Sequence, residues 1–295
     1  TQSRKRRDHM NRLPITKTPK VYVGGAFIRS ESARTFPLKD ATGNFFANIP
    51  QCTRKDLRNA VEAAAKAGPG WARRTAYNRG QILYRLGEML EARGAEMAAA
   101  LADGGPDTRA RKEVAVVIDR LIHYAGWADK YEQVLGNVNP VAAPYFNFTV
   151  TEPMGVVGVI APDRPALLGL VSLVAPAIVS GNTVVALASE AAPYPAILLG
   201  EMLATSDLPG GVVNLLTGFR KELVPTFATH THLRAISAAV SPAERKTLEL
   251  GAAESVKRTH FTEAGRTDWF ADGAQGLYAI RDFLEFKTTW HPVGA

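Results

Sequence analysis

Apolar residues in this chain change texture along its length, and the change marks out the elements. Short β-branched runs lie at 156–160 (VVGVI) and 183–187 (TVVAL), flanking a long apolar segment at 166–179 stopped by Gly181-Asn182. A short apolar run without alternation predicts a strand buried on both faces, and the longer segment predicts a buried helix. Together they predict a βαβ unit, whose right-handed crossover makes the two strands parallel. The alternation then continues with a helix over 193–205, a strand over 212–216, a helix over 221–229 and a strand over 235–239. A helix over 242–253 follows, with Ser241 as N-cap and Pro242 in its first turn. The expected class is α/β, a Rossmann-like parallel sheet.

Upstream the period is that of amphipathic helices. Val21 to Val23, Gly24-Gly25 and Phe27-Ile28 read as a strand, a turn and its return. Thr53 and Asp56 form a capping-box-like start for a helix through Leu57, Val61, Ala64 and Ala65, expected to end at Gly68-Pro69-Gly70 before a new segment at Trp71. Ile82, Leu83, Leu86, Met89 and Leu90 place a helix over 78–93, broken by Gly94. Val114, Val117, Ile118, Leu121, Ile122 and Ala125 place another over 108–134. At 145–150 the period drops to two, which predicts a half-buried strand outside the parallel sheet. A helix ending at 281–283 and a strand over 285–290 come last.

Charge changes this picture little. The net charge is +7, but seven basic side chains against Asp8 alone within residues 1–20 supply +6, so the rest carries +1. The basicity belongs to an arm at 1–19, expected to be solvated and disordered, and a nucleic-acid role for it is the remote alternative. No apolar run reaches a membrane span, no leader pattern is visible, and a single cysteine suits a reducing compartment. The expectation is a cytoplasmic protein without membrane contact.

The same stretches carry a resemblance. EPMGVVGVIAP at 152–162, GNTVVALASE at 181–190 and LPGGVVNLLTG at 208–218 resemble the cofactor domain of the NAD(P)-dependent aldehyde dehydrogenase superfamily. The GWADKYEQVLG region and the final FLEFKTTW are similar as well. The resemblance divides the chain into an NAD(P)-binding-like domain at 20–136 and 152–271 and a β oligomerisation extension at 137–151 and 272–295. It also implies that the substrate domain, with its nucleophilic cysteine, is absent between 265 and 272. The chain is similar to the degenerate second module of two-module aldehyde dehydrogenases.

Oxidation of this kind needs a thiolate nucleophile, an amide donor for the oxyanion and a carboxylate base. Arg164 stands where the family has its amide donor, and Cys52, the only thiol, precedes an N-terminal helix, where a structural role is the expectation. Glu263 aligns loosely with the family's base. No catalytic residue is assigned. Leu187 replaces the family's ribose-binding lysine, and Val240 replaces the glycine of its pyrophosphate loop. Residual cofactor contacts fall on Ile160, Pro162, Glu190, Gly218 and Ser241, so NAD(P) binding is expected to be weak or absent. His230 and His232 are a loop pair rather than a metal site, and Tyr124, Trp127 and Tyr131 have helix-packing spacing. The resulting expectation is a non-catalytic subunit that assembles with a full-length aldehyde dehydrogenase or with itself. The alternative is an NAD(P)-dependent oxidoreductase subunit whose active site a partner chain completes.

Overall fold

The computed structural model describes residues 17–40, 42–102 and 107–294. Most of the expected basic arm therefore lies outside the described residues; Lys17, near its end, pairs with Glu201, which Arg93 also holds at 2.8 Å. The described residues open with two hairpins, β1 (Val21–Val23) with β2 (Ala26–Ile28) and β3 (Thr35–Lys39) with β4 (Phe45–Pro50). Thr53 caps α1 (Arg54–Ala72), and the Asp56 carboxylate accepts the Thr53 N–H at 2.7 Å. The same carboxylate takes the Ser30 hydroxyl and the Glu31 N–H, each at 2.8 Å, so one buried acid ties the hairpins to the helix. Contrary to expectation, α1 does not stop at Gly68-Pro69-Gly70. Trp71 is fully buried and donates its indole N–H to the Ile178 carbonyl at 2.8 Å, and that burial overrides the weak local propensity.

Helices α2 (Ala76–Ala92), α3 (Gly94–Ala102), α4 (Asp107–Trp127) and α5 (Tyr131–Leu135) follow. The single helix expected over 108–134 is thus two. A tight turn, with Lys130 N–H on the Trp127 carbonyl at 3.0 Å, redirects the chain and buries Tyr131 under α2. Its hydroxyl accepts from Arg79 there at 3.2 Å.

Next come β5 (Asn137–Val138), β6 (Tyr145–Pro153) and the α/β core: β7 (Val156–Ile160), α6 (Ala166–Val179), β8 (Thr183–Leu187), α7 (Tyr194–Leu203), β9 (Val213–Leu216), α8 (Arg220–Thr229), β10 (Leu233–Val240), α9 (Pro242–Ala253) and β11 (Arg258–Glu263). A bridge then leads to α10 (Leu277–Arg281) and β12 (Leu284–Pro292). The main sheet has seven strands in the order β11-β10-β7-β8-β9-β1-β2, parallel from β11 to β9 and closed by the antiparallel first hairpin. The expected Rossmann-like α/β architecture with N-terminal helices is what the chain forms. Val157, Val159, Val184 and Ala186 face α6 and α7, with α2 to α4 stacked outside; Val156, Ile160, Val185 and Ile236 face α1, α8 and α9. No helix among the described residues is long and apolar enough to cross a membrane.

The alternating segment forms a separate sheet of three strands, β12-β6-β5, in which β12 runs antiparallel to β6 from Leu284–Pro153 to Pro292–Tyr145. Ile280, Phe283 and Leu284 are buried in the main core, so α10 and the first residue of β12 pack on the body and the strand then leaves it.

All fourteen residues of α6 are buried, so its ends cannot turn to water. Glu113 of α4 accepts the N–H groups of Leu167 and Leu168 at 2.9 and 3.0 Å, and Arg79 donates to the Val179 carbonyl at 2.9 Å. Midway, the Arg120 guanidinium donates to the Ser172 hydroxyl at 2.6 Å and reaches past the helix to the carbonyls of Trp269 and Ala274, both at 3.0 Å. Arg120 thereby pins the bridge that follows β11. Arg120→Leu strands all three acceptors, and we predict a loss of about 3 kcal/mol in stability, read as a lower urea midpoint with an unchanged slope. A midpoint equal to the parent's would show that the bridge needs no pin.

Candidate functional site

The chain runs outward from β7 through β8 to β9, then crosses back to β10 and β11 on the other side of β7. A crevice opens at such a switch point, beyond the carboxyl ends of β7 and β10, and in open α/β sheets ligands bind there. The five positions expected to contact a cofactor all lie along this edge. Ile160 ends β7 and Pro162 follows it, Glu190 follows β8, Gly218 follows β9, and Ser241 follows β10.

The edge is closely packed. Ile160 is fully buried in the core beneath. The Pro162 ring lies on the first turn of α6, where only a glycine fits: a Cβ at Gly169 would sit 2.1 Å from Pro162 Cγ. Gly218, at φ +147, brings the backbone against Cys52, whose N and O would lie 3.2 Å from a Cβ at 218. Ser241 is engaged in a capping box; its hydroxyl and N–H both donate to Glu244, at 2.7 and 2.9 Å.

Arg220, the first residue of α8, lies across the crevice. Its backbone N–H donates to the Glu190 carboxylate at 2.8 Å. Its guanidinium donates to the Ala161 carbonyl after β7, and lies 3.5 Å from Asp163 and 3.8 Å from Glu244. The side chain is about one-tenth exposed, so these partners lie around a nearly dry cation, where charge-assisted contacts are strong. Asp163 in turn accepts the Glu190 N–H at 3.0 Å, which closes the β7 and β8 loops onto each other. Arg220 gives no local signal in sequence, because its partners lie 24 or more residues away.

The helix N-termini of this edge, ordinarily sites for anions, hold carboxylates of the chain itself. Glu113 sits on α6, Glu190 on α8 and Glu244 on α9. Glu113 is buried, and burial pushes its carboxyl up, against the two N–H groups that favour the charged form. Here a signal was present in sequence: Glu113 and Arg120 fall on the apolar stripe Ala110, Val114, Val117 and Leu121, where an unpaired charge would be costly.

The remaining candidates do not converge on this crevice. Arg164 is exposed. Glu263 is exposed at the end of β11 and pairs with Arg266 at 2.8 Å. Leu187 and Val240 are core side chains beside Ile160. The His232 N–H donates to the His230 ring at 3.3 Å and the two rings pack edge to face, while no group of three or more metal-ligating side chains occurs among the described residues.

Cys52 is fully buried, with its N–H on the Thr217 carbonyl at 3.0 Å. Burial pushes its thiol up to about 12. Since a raised thiol pKa favours the protonated form, thiolate is scarce at any pH below that value. We predict that the folded chain leaves a disulfide reagent such as Ellman's unreacted at pH 8, and that one thiol reacts in denaturant. Rapid reaction of the native protein would contradict the buried placement.

Residues 27–271 match the family model described as the aldehyde dehydrogenase family. Retinal dehydrogenase 2 of Gallus gallus is 35% identical over 259 residues, covering 85% of this chain and 49% of that protein. The mitochondrial aldehyde dehydrogenase of Rattus norvegicus is 32% identical over 259 residues, covering 79% of this chain and 49% of its own length. Among solved structures, the NAD+ complex of a Bacillus cereus aldehyde dehydrogenase superposes with a TM-score of 0.80 at 25% identity, over 85% of this chain and 52% of that one. HpcC of Thermus thermophilus superposes at 0.81 with 29% identity, over 85% and 49%. The chain therefore spans about half the length of the relatives it matches. By its family model, its relatives and its fold, the chain belongs to the aldehyde dehydrogenase family.

Proposed function

We propose that this chain is a non-catalytic member of its family, a structural or regulatory subunit that assembles with a full-length aldehyde dehydrogenase chain or with another copy of itself. The observation that carries the reading is Arg220 lying across the switch-point crevice, held by Ala161, Asp163 and Glu244. The Bacillus cereus relative was solved with NAD+, and the residues of this crevice do not fit such a group. A pyrophosphate entering here would meet Asp163, Glu190 and Glu244, and the cation that offsets those acids is already held in place. A buried thiol pushed up to about 12 and a base-position acid turned to Arg266 support the same reading.

Assembly is supported by the small sheet. The outer edge of β12 has no ladder partner among the described residues, and both faces of the sheet carry exposed apolar side chains, Tyr145, Phe286 and Trp290 on one and Phe146 and Val150 on the other. An open edge of nine residues flanked by aromatics readily takes another strand.

Two outcomes test this reading. The purified chain with NAD+ and propanal is expected to form no NADH, and titration calorimetry with NAD+ to give no saturable heat; a dissociation constant in the micromolar range would favour the partner-completed oxidoreductase subunit instead. The double substitution Phe286→Glu with Trp290→Glu, both at exposed positions, is expected to lower the mass measured by light scattering, either of the chain alone or of its mixture with an aldehyde dehydrogenase. An unchanged mass in both samples would remove β12 from the interface.

A further inference from the structure

The amino end of the parallel sheet holds a cavity of about 400 Å³, at the edge away from the crevice that Arg220 crosses. Gly68, Pro69 and Ala72 of α1 form one wall. Pro153 at the end of β6, Gly155 ahead of β7 and Gly181 ahead of β8 form another. These two walls present no charged side chain, and the space exists because the residues that border it are small.

The third wall is polar. Thr231, His232 and Arg234 supply it, from the start of β10 and the turn before it. Leu233 pairs with Val156 and Ala235 with Val157, so Arg234 is an extra residue in the ladder, as in a bulge. Bulges re-aim a side chain. Here the arginine stem crosses Gly155: a Cβ built on that glycine, at φ +125, would lie 3.3 Å from Arg234 Cγ. The apolar stem thus covers the backbone at the cavity wall, an arrangement that leaves the charged head to water. Arg234 is exposed and makes no hydrogen bond or ion pair among the described residues.

The charged side chains at this cavity restrict what it accepts. No lining residue is acidic. Glu152, next to Pro153, pairs with Lys287, and Glu62 of α1 lies 3.7 Å from Arg58. Behind His232, the ring of His230 packs edge to face on the His232 ring. Burial pushes the His230 imidazole down, and the charges of His232 and Lys257 push the same way, against a smaller lift from Glu62. An ammonium group would therefore meet cations without a counter-charge. A carboxylate matches the planar fork of an arginine, two N–H donors to two oxygens.

We propose that this cavity binds a small monocarboxylate with an apolar body, its carboxylate on Arg234 and its body against Pro69, Ala72 and Pro153. The volume lies toward the lower end of the range for ligand pockets, which fits one aromatic ring on a short arm. The site is at the opposite end of the strands from the crevice that Arg220 fills and does not depend on the subunit role.

The test is a calorimetric titration of the full chain with 3-phenylpropanoate, beside 3-phenylpropan-1-ol and inorganic phosphate at the same ionic strength. Saturable binding of the acid is expected, with the alcohol about five- to tenfold weaker and phosphate giving no saturable heat. Arg234→Gln, at an exposed position, is expected to weaken the acid by about the same factor and to leave the alcohol unchanged. Gly68→Leu grows a side chain into the cavity, since a Cβ there meets nothing closer than Thr183 at 3.9 Å, and is expected to abolish binding of both. If Gly68→Leu fails to fold, the comparison of Arg234→Gln with the parent decides. No saturable heat from the acid, equal affinities for acid and alcohol, phosphate binding as tightly as the acid, or full affinity for the acid in either folded variant would each overturn the assignment.

Discussion

A helix buried on all sides has no water for its ends. Helix α6 is in that position between the sheet and the α2–α4 layer, and every element around it is fixed by how its orphan groups are met. Glu113 brings α4 to the N-terminus; Trp71 and Arg79 bring α1 and α2 to the C-terminus. Asn182, in the turn after it, accepts the Gly155 N–H and donates to the Phe283 carbonyl, each at 2.9 Å, so the start of β7 and the approach to β12 are set by one amide. The apolar segment that dominates the sequence thus organises the fold twice: by its burial, and by the polar groups that burial forces its neighbours to supply.

The carboxyl edge obeys the same rule with a different result. Helices α8 and α9 also need acceptors at their N-termini, and the chain supplies them as Glu190 from the loop after β8 and Glu244 from the first turn of α9. With Asp163 these make three acids at one edge, which require a counter-charge, and Arg220 is in place to meet it. At this edge the N-terminal donors of α8 and α9 thus meet carboxylates of the chain itself. Residues placed along the edge by resemblance, Pro162, Gly218 and Ser241, occupy the expected positions while their groups are spent on packing and capping.

What the sequence made legible follows from how local the signal is. The βαβ unit, the capped helix over 242–253 and the period-2 strand are written in contiguous patterns, and the structure contains them. The extension of α1 through Pro69 was not legible, because it depends on a pocket for Trp71 built more than one hundred residues later, at Ile178. Strand β11 lacked a readable pattern because one of its faces is polar and half-buried under the bridge, carrying Arg258, His260 and Thr262. Arg220 and the His260–Asp282 pair were invisible for the same reason: each is a meeting of loops or strands that only the topology brings together.

The second sheet has a further consequence in terms of symmetry. Its two outer strands are unequal: β12 offers nine residues, whereas β5 on the far side has only two. An identical chain adding to β12 in antiparallel register about a two-fold axis would consume both long edges at once, leaving only the two-residue strands outermost. Such a pairing would make one six-stranded sheet about the two-fold axis. Head-to-tail addition would instead have to dock β12 beside the two residues of β5, a much shorter ladder, so the geometry of the edges sets two-fold pairing above open addition.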